Sequence, residues 1–202
     1  MKKLILPILA IVLLSFTNAD TKLTDAERAK ATEYLTKTHD HLLKAVEGLS
    51  EEQLNYKPSN DVWSIAECVE HIAISENSIF NLMKGLLKSD DKAATTKPEK
   101  ATPDDQVIAM MVDRSNKVKT SEPFKPSGRF GSYDETLKAF KTKRTSNIEF
   151  IKTTDADLRG RFQQMPFGTL DAYQMVLFLS AHSERHVLQI EELLADDEFP
   201  DK

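Results

Sequence analysis

Residues 179–193, LSAHSERHVLQIEEL, continue an apolar run that begins upstream, and their spacing decides the fold. Met175, Leu179, His182, His186, Ile190 and Leu193 recur three or four residues apart, the period of one helix face turned toward a core. Two histidines stand in that stripe, at i and i+4, so their imidazoles lie one above the other and can reach one point in space. Buried imidazoles need partners for all their ring nitrogens. A metal ion satisfies one nitrogen on each ring; hydrogen bonds to Ser and Glu neighbours are the alternative, and spacing alone leaves both open.

A third histidine comes from far upstream. WSIAECVEHIAISE, residues 63–76, opens with Ser64 as a candidate N-cap and Glu67 in the capping-box position, and carries His71 at the edge of the stripe Ile65, Cys68, Ile72, Ile79, Met83 and Leu86. An imidazole from this second helix would complete a three-nitrogen set with coordination positions left open, the mark of a working rather than a structural metal.

Two further segments have helical period. The first runs from about Asp25 to Glu47, with Thr24 and Glu27 spaced as a capping box and Leu35, Leu42, Val46 and Leu49 as its stripe. Another begins near Tyr133, with Leu137, Phe140, Ile148 and Ile151 on one face and Arg144 on the same seam. The fourth helix begins near Leu170 or Asp171, after the turn Met165, Pro166, Phe167, Gly168, and runs to about Leu194. Between the second and third main helices, Ser89 to Ser132 is rich in Lys, Asp, Thr and Pro, too long for an ordinary bundle connection; Asp104 to Lys119 within it is expected to form a helix of its own. No alternation argues for a strand. The expected fold is all-α, a four-helix bundle with a long crossover between helices 2 and 3.

Met1, Lys2 and Lys3 precede an apolar run from Leu4 to Phe16 and then Thr17, Asn18, Ala19 and Asp20. This is the pattern of a secretory signal peptide over residues 1–19, with residues 20–202 as the mature domain. The run falls short of the roughly 20 residues a span needs, so no stable membrane insertion is expected after cleavage, and the mature protein is expected outside the cytoplasm, periplasmic or secreted. Losing Lys2 and Lys3 takes the basic count from 27 to 25 against 32 acidic residues, so the formal charge moves from −5 to −7. That balance argues against nucleic acid as a partner, which needs a basic footprint. A single cysteine, Cys68, permits no internal disulfide and reads as a buried small hydrophobe.

WSIAECVEHIAISE following LSEEQLNYKP (residues 49–58), with PFGTLDAYQMVLFLSAHSERHVLQIEEL (residues 166–193) at the other end, closely resembles the DinB-like superfamily of four-helix metal proteins. The family pattern falls on Trp63, Ser64, Glu67 and His71, and on His182 and His186 with Gln189 after them. The resemblance covers essentially the whole mature chain and is weakest over Ser89 to Ser132. It implies an up-down-down-up bundle and a divalent metal, zinc or nickel first and iron or manganese next, held by His71, His182 and His186. Among relatives it implies hydrolases, thiol transferases of the bacillithiol type and members without a known reaction, and dimerisation is common.

The expected function is therefore that of an exported metal-dependent hydrolase acting on a small-molecule substrate through metal-bound water. A non-catalytic metal-binding or stress-associated bundle is the alternative, and the thiol S-transferase stands third because an exported protein lacks cytosolic thiols. Glu67, one turn before His71, and Glu70 are the candidate catalytic helpers, although Glu67 is also the capping-box glutamate. Trp63 reads first as a hydrophobic staple, and Arg144 as one half of a buried ion pair. Glu184 and Arg185 read as a solvated strip, and His39 and His41, two residues apart, point to different sides of their helix.

Overall fold

The computed structural model describes residues 22–99 and 101–201. The segment read as a leader, residues 1–19, lies outside them. Four long helices form the body: α1 (Asp25–Ala45), α3 (Ile65–Leu87), α5 (Tyr133–Thr153) and α6 (Ala172–Leu194). Short helices α2 (Glu51–Asn55) and α4 (Asp104–Val112) lie in the connections, and α2 falls in a stretch that sequence patterning left as a polar connection. Each long helix opens with a capping box: Thr24 with Glu27, Ser64 with Glu67, Ser132 with Glu135, and Asp171 with Gln174. The paired side chains satisfy amide groups that the first helical turn leaves without partners. Helix starts were therefore local and readable.

Contacts fix the direction of each helix. Arg28, in the first turn of α1, bonds the carbonyls of Ile151 and Thr154 at the end of α5, so α1 and α5 run oppositely. Tyr173 at the start of α6 donates to the Glu27 carbonyl, so α6 runs with α1. Glu76 meets Arg144 and Phe80 meets Phe150, a parallel sequence of contacts between α3 and α5. His71, early in α3, meets His186, late in α6. This is the up-down-down-up order, with α1 and α3 each packed against both α5 and α6.

The apolar core divides into two bodies. One contains Leu35, Phe80, Met83, Ile151, Tyr173 and Leu179; the other contains Leu42, Ile65, Ile72, Phe140, Val187 and Ile190. Between them lies a polar layer drawn from all four helices: Thr38, Glu76, Arg144 with Asn147, and Ser180 with Ser183. Arg144 is 0% exposed and every N–H of its guanidinium has a partner. Nε and Nη2 donate to the two Glu76 oxygens at 2.8 and 2.7 Å. The remaining donors reach the Leu35 carbonyl, the Thr38 hydroxyl and the Ser183 hydroxyl at 2.8, 2.7 and 2.7 Å. Asn147 adds a second donor to Glu76 at 2.7 Å. The sequence-based reading of Arg144 as half of a buried ion pair is correct, and Glu76 is its partner.

The crossover from Lys88 to Ser132 is held through side chains near Asp104 and, further along, through its backbone. Helix α4 ends at Val112 rather than continuing to Lys119, because Arg185 on α6 draws in the carbonyls of Met111, Asp113 and Asn116. Arg114 pairs with Glu192 on the same helix. From α3, the Glu70 carboxylate accepts the amides of Ser127, Gly128 and Arg129 at 3.1, 3.0 and 2.9 Å. Arg185 and Glu70 thus both anchor the strap, and Arg159 holds its Asp104 by two further bonds. Arg185 is 8% exposed and not part of a solvated strip, since patterning registers side-chain polarity but not which backbone will fold over it.

A second departure is the antiparallel hairpin of β1 (Phe162–Met165) and β2 (Gly168–Asp171), paired from Phe162 with Asp171 to Met165 with Gly168. Its strands have four residues each, too short to show alternation, so only the turn between them is legible in the sequence. Gly168 closes that turn at φ +139, where a side chain would be strained. No helix among the described residues is long and apolar enough to cross a membrane.

Removing one member of a buried, fully bonded ion pair costs about 3–5 kcal/mol, because the other charge is left without a partner. Glu76→Ala should therefore lower the unfolding free energy in urea by about that amount, and Glu76→Leu combined with Arg144→Met should recover most of it. A single-variant loss below about 1 kcal/mol would contradict the role given to this layer. Glu70→Ala should speed hydrogen exchange at the amides of Ser127, Gly128 and Arg129 and leave exchange along α6 unchanged.

Candidate metal centre

The Ser64 cap fixes where α3 begins, and two turns later its inner edge presents His71. Asp171 does the same for α6, whose third and fourth turns carry His182 and His186. Because the two helices run antiparallel and pack together, the three rings meet as a nearly regular triangle. Ring centroids are 4.9 Å apart for His71 and His182, 4.4 Å for His71 and His186, and 4.7 Å for His182 and His186. One nitrogen from each ring lies within 4.8 Å of the others, the cluster expected of these three residues.

The outer nitrogens show which inner ones are free. His71 Nδ1 lies 2.7 Å from the Phe124 carbonyl, which only accepts, so Nδ1 carries the proton and Nε2 presents its lone pair. His186 Nδ1 lies 3.0 Å from Gln189 Oε1, and the same argument frees its Nε2. His182 Nε2 stands 3.2 Å from His71 Nε2, and His182 Nδ1 is buried with no hydrogen-bond partner.

This pattern fits a divalent cation. Nitrogens about 2.0–2.1 Å from a tetrahedral zinc lie about 3.3 Å from each other, close to the Nε2 separation observed. The donor set is all imidazole, which suits zinc, nickel, copper and iron, and the Phe124 carbonyl and Gln189 fix the tautomers as outer partners of ligating histidines do.

Electrostatics keep the rings neutral and able to donate. Burial lowers the pKa of His182 well below its ordinary value, and the neighbouring His186 and His71 push in the same direction. His186 falls to about 3, from burial first and then from His71. His71 is lowered by burial, partly offset by its bond to the Phe124 carbonyl. Trp63 lies against both His71 and His186, with centroids at 4.9 and 6.2 Å, and Phe178 lies 6.2 Å from His182.

Other candidate residues are placed elsewhere. Glu67 completes the α3 capping box, accepting the Ser64 amide at 2.8 Å, and pairs with Lys57 at 2.9 Å. Cys68 is fully buried in the apolar core, and burial pushes its thiol up to about 12. Neither belongs to the nitrogen cluster. Glu184 bonds His41 across to α1, and His39 bonds Asp40 and stacks on Phe140. Sequence reasoning missed the Phe124 carbonyl, because a backbone acceptor has no residue signature; Gln189, three residues after His186, was visible.

The chain matches the model of the DinB superfamily over residues 34–190. The uncharacterized protein YuaE of Bacillus subtilis (strain 168) is 30% identical over 152 residues, 73% of this chain and 87% of that protein. Among solved structures the fold is similar to that of YfiT from Bacillus subtilis, described as a probable metal-dependent hydrolase with an unusual four-helix bundle topology. The TM-score is 0.57 at 16% identity, over 85% of this chain and 87% of that one. A match that reaches into all four long helices and includes every residue of the histidine cluster shows that this chain belongs to the DinB superfamily.

Proposed function

We propose that this chain is an exported metal-dependent hydrolase acting on a small molecule, with zinc or nickel held by His71, His182 and His186. The observation that carries the reading is the convergence of three neutral imidazoles whose outer nitrogens are, in two cases, already bonded to acceptors. An ion bound there would supply Lewis acidity and would activate water near neutral pH. Three protein ligands leave coordination positions free for substrate.

The chain's own residues orient and protect that site. The Phe124 carbonyl and Gln189 hold the His71 and His186 rings in the donor tautomer. Trp63 screens two of the rings from water. Glu67 caps the helix that carries His71, and we assign it a positioning role rather than proton transfer. The alternative is an ion that only ties α3 to α6. A closed shell completed by Glu67 or Cys68 would favour that alternative, and both groups are engaged elsewhere. Export is supported by the charged, apolar and small-residue sequence of residues 1–19.

Protein purified without a histidine tag should contain about one equivalent of transition metal by mass spectrometry, after reconstitution if necessary. His182→Ala should abolish that stoichiometry and any hydrolysis of activated esters, while His39→Ala should retain both. Equal metal content in the two variants would reject the assignment. Acid should weaken the metal-free protein, because the folded-state pKa values of these imidazoles lie below their unfolded value of about 6.5. The unfolded chain then binds more protons, and stability is lost as pH falls below about 6.5 toward the His186 value of about 3. Between pH 7 and pH 5, His186 alone should cost about 2 kcal/mol, readable as a shift of the urea midpoint that His186→Leu removes.

A further inference from the structure

Three buried side-chain polar atoms among the described residues have no hydrogen-bond partner: the Ser75 hydroxyl, the Tyr133 hydroxyl and His182 Nδ1. Such atoms are rare in folded proteins, because each has lost water without a replacement. Tyr133 stands at the start of α5, whereas Ser75 and His182 both belong to α3 and α6, the two helices that carry the histidine cluster.

The bonds of Arg144 place that pair side by side. Its Nη2 donates both to Glu76 on α3 and to Ser183 on α6, each at 2.7 Å, so these two residues stand at one level of the bundle. Ser75 and His182 are the residues immediately before them. One step back along a helix turns a side chain by about 100°. In antiparallel helices the two turns are mirror images, so both side chains swing toward the shared seam or both swing away from it. The His71 and His182 rings, with centroids 4.9 Å apart, show that His182 swings toward α3. Ser75, 0% exposed and one turn after His71 on the same side of α3, therefore swings toward α6 at the level of His182.

The other two rings of the cluster already have outer acceptors, the Phe124 carbonyl for His71 and Gln189 for His186. We propose that Ser75 is the outer acceptor of His182, a positioning residue whose hydroxyl oxygen holds the Nδ1 proton when Nε2 is turned to the ion. A serine hydroxyl accepts and donates at once, so it can take that bond while giving its own proton to the His71 carbonyl one turn back. The inference rests on the metal-dependent reading above. It accounts for two of the three orphaned atoms together, since each is the partner that the other lacks.

The test separates holding a ligand ring from filling space. Ser75→Ala deletes a hydroxyl that has no partner in the metal-free protein, so without metal the variant should unfold at a urea midpoint equal to or above that of wild type. Its zinc affinity, measured by competition with a chromophoric chelator, should fall about tenfold, the usual scale for losing an outer partner of a ligating histidine. Nitrogen-15 NMR of the zinc-loaded wild type should show a His182 Nδ1 proton protected from exchange with water, and Ser75→Ala should lose that protection. Unchanged zinc affinity in Ser75→Ala, a lowered urea midpoint without metal, or a freely exchanging Nδ1 proton in the zinc-loaded wild type would each overturn the role of Ser75 and leave the three-histidine site standing. If the wild type takes up no zinc, the metal-dependent reading falls and this inference falls with it.

Discussion

The guanidinium of Arg144 must find five acceptors where no water can supply them, and the bundle is arranged around that demand. Its partners come from three other helices: Leu35 and Thr38 on α1, Glu76 on α3 and Ser183 on α6. A slip of any helix by one residue would rotate its partner away and leave a charge buried without compensation. The apolar bodies on either side tolerate such a slip more readily, since Leu, Ile and Met can repack at modest cost. The polar layer thus sets the register of α3 against α6, and that register decides whether His71 meets His182 and His186.

A second constraint comes from the crossover. Its strap closes over one side of the cluster by three separate means: the Phe124 carbonyl on His71, the amides of Ser127 to Arg129 on Glu70, and the carbonyls around Asp113 on Arg185. Glu70 and His71 are adjacent in sequence, so one short piece of α3 both anchors the strap and supplies a candidate metal ligand. Ring orientation and loop position are coupled through that dipeptide.

Much of this was legible in the chain. Each long helix has its start written in a capping box, and the inward stripe of α6 placed its histidines correctly. The ion pair of Arg144 was readable because an arginine on an apolar seam needs a partner, but Glu76 could not be singled out without the packing of α3 on α5. Arg185 was misplaced at the surface, and the hold of Glu70 on the strap went unread, for a shared reason. Their ligands are backbone groups of a segment with little periodicity, and such groups leave no trace in residue type. The hairpin escaped notice because four-residue strands show no period. Glu67 was seen in both of its readings, and the structure places its carboxylate on the helix cap and Lys57.

Holding the strap by its main chain has an evolutionary consequence. Carbonyls and amides are common to every residue except for the missing N–H of proline, so substitutions along residues 111–129 leave most of those bonds available. Side chains on the strap's outer surface can drift under selection for new ligands without disturbing the tautomer of His71 or the hold of Arg185. The same architecture that fixes the nitrogen cluster leaves its surroundings free to diversify. Divergence should accordingly concentrate in the crossover while the helices beneath it stay constrained.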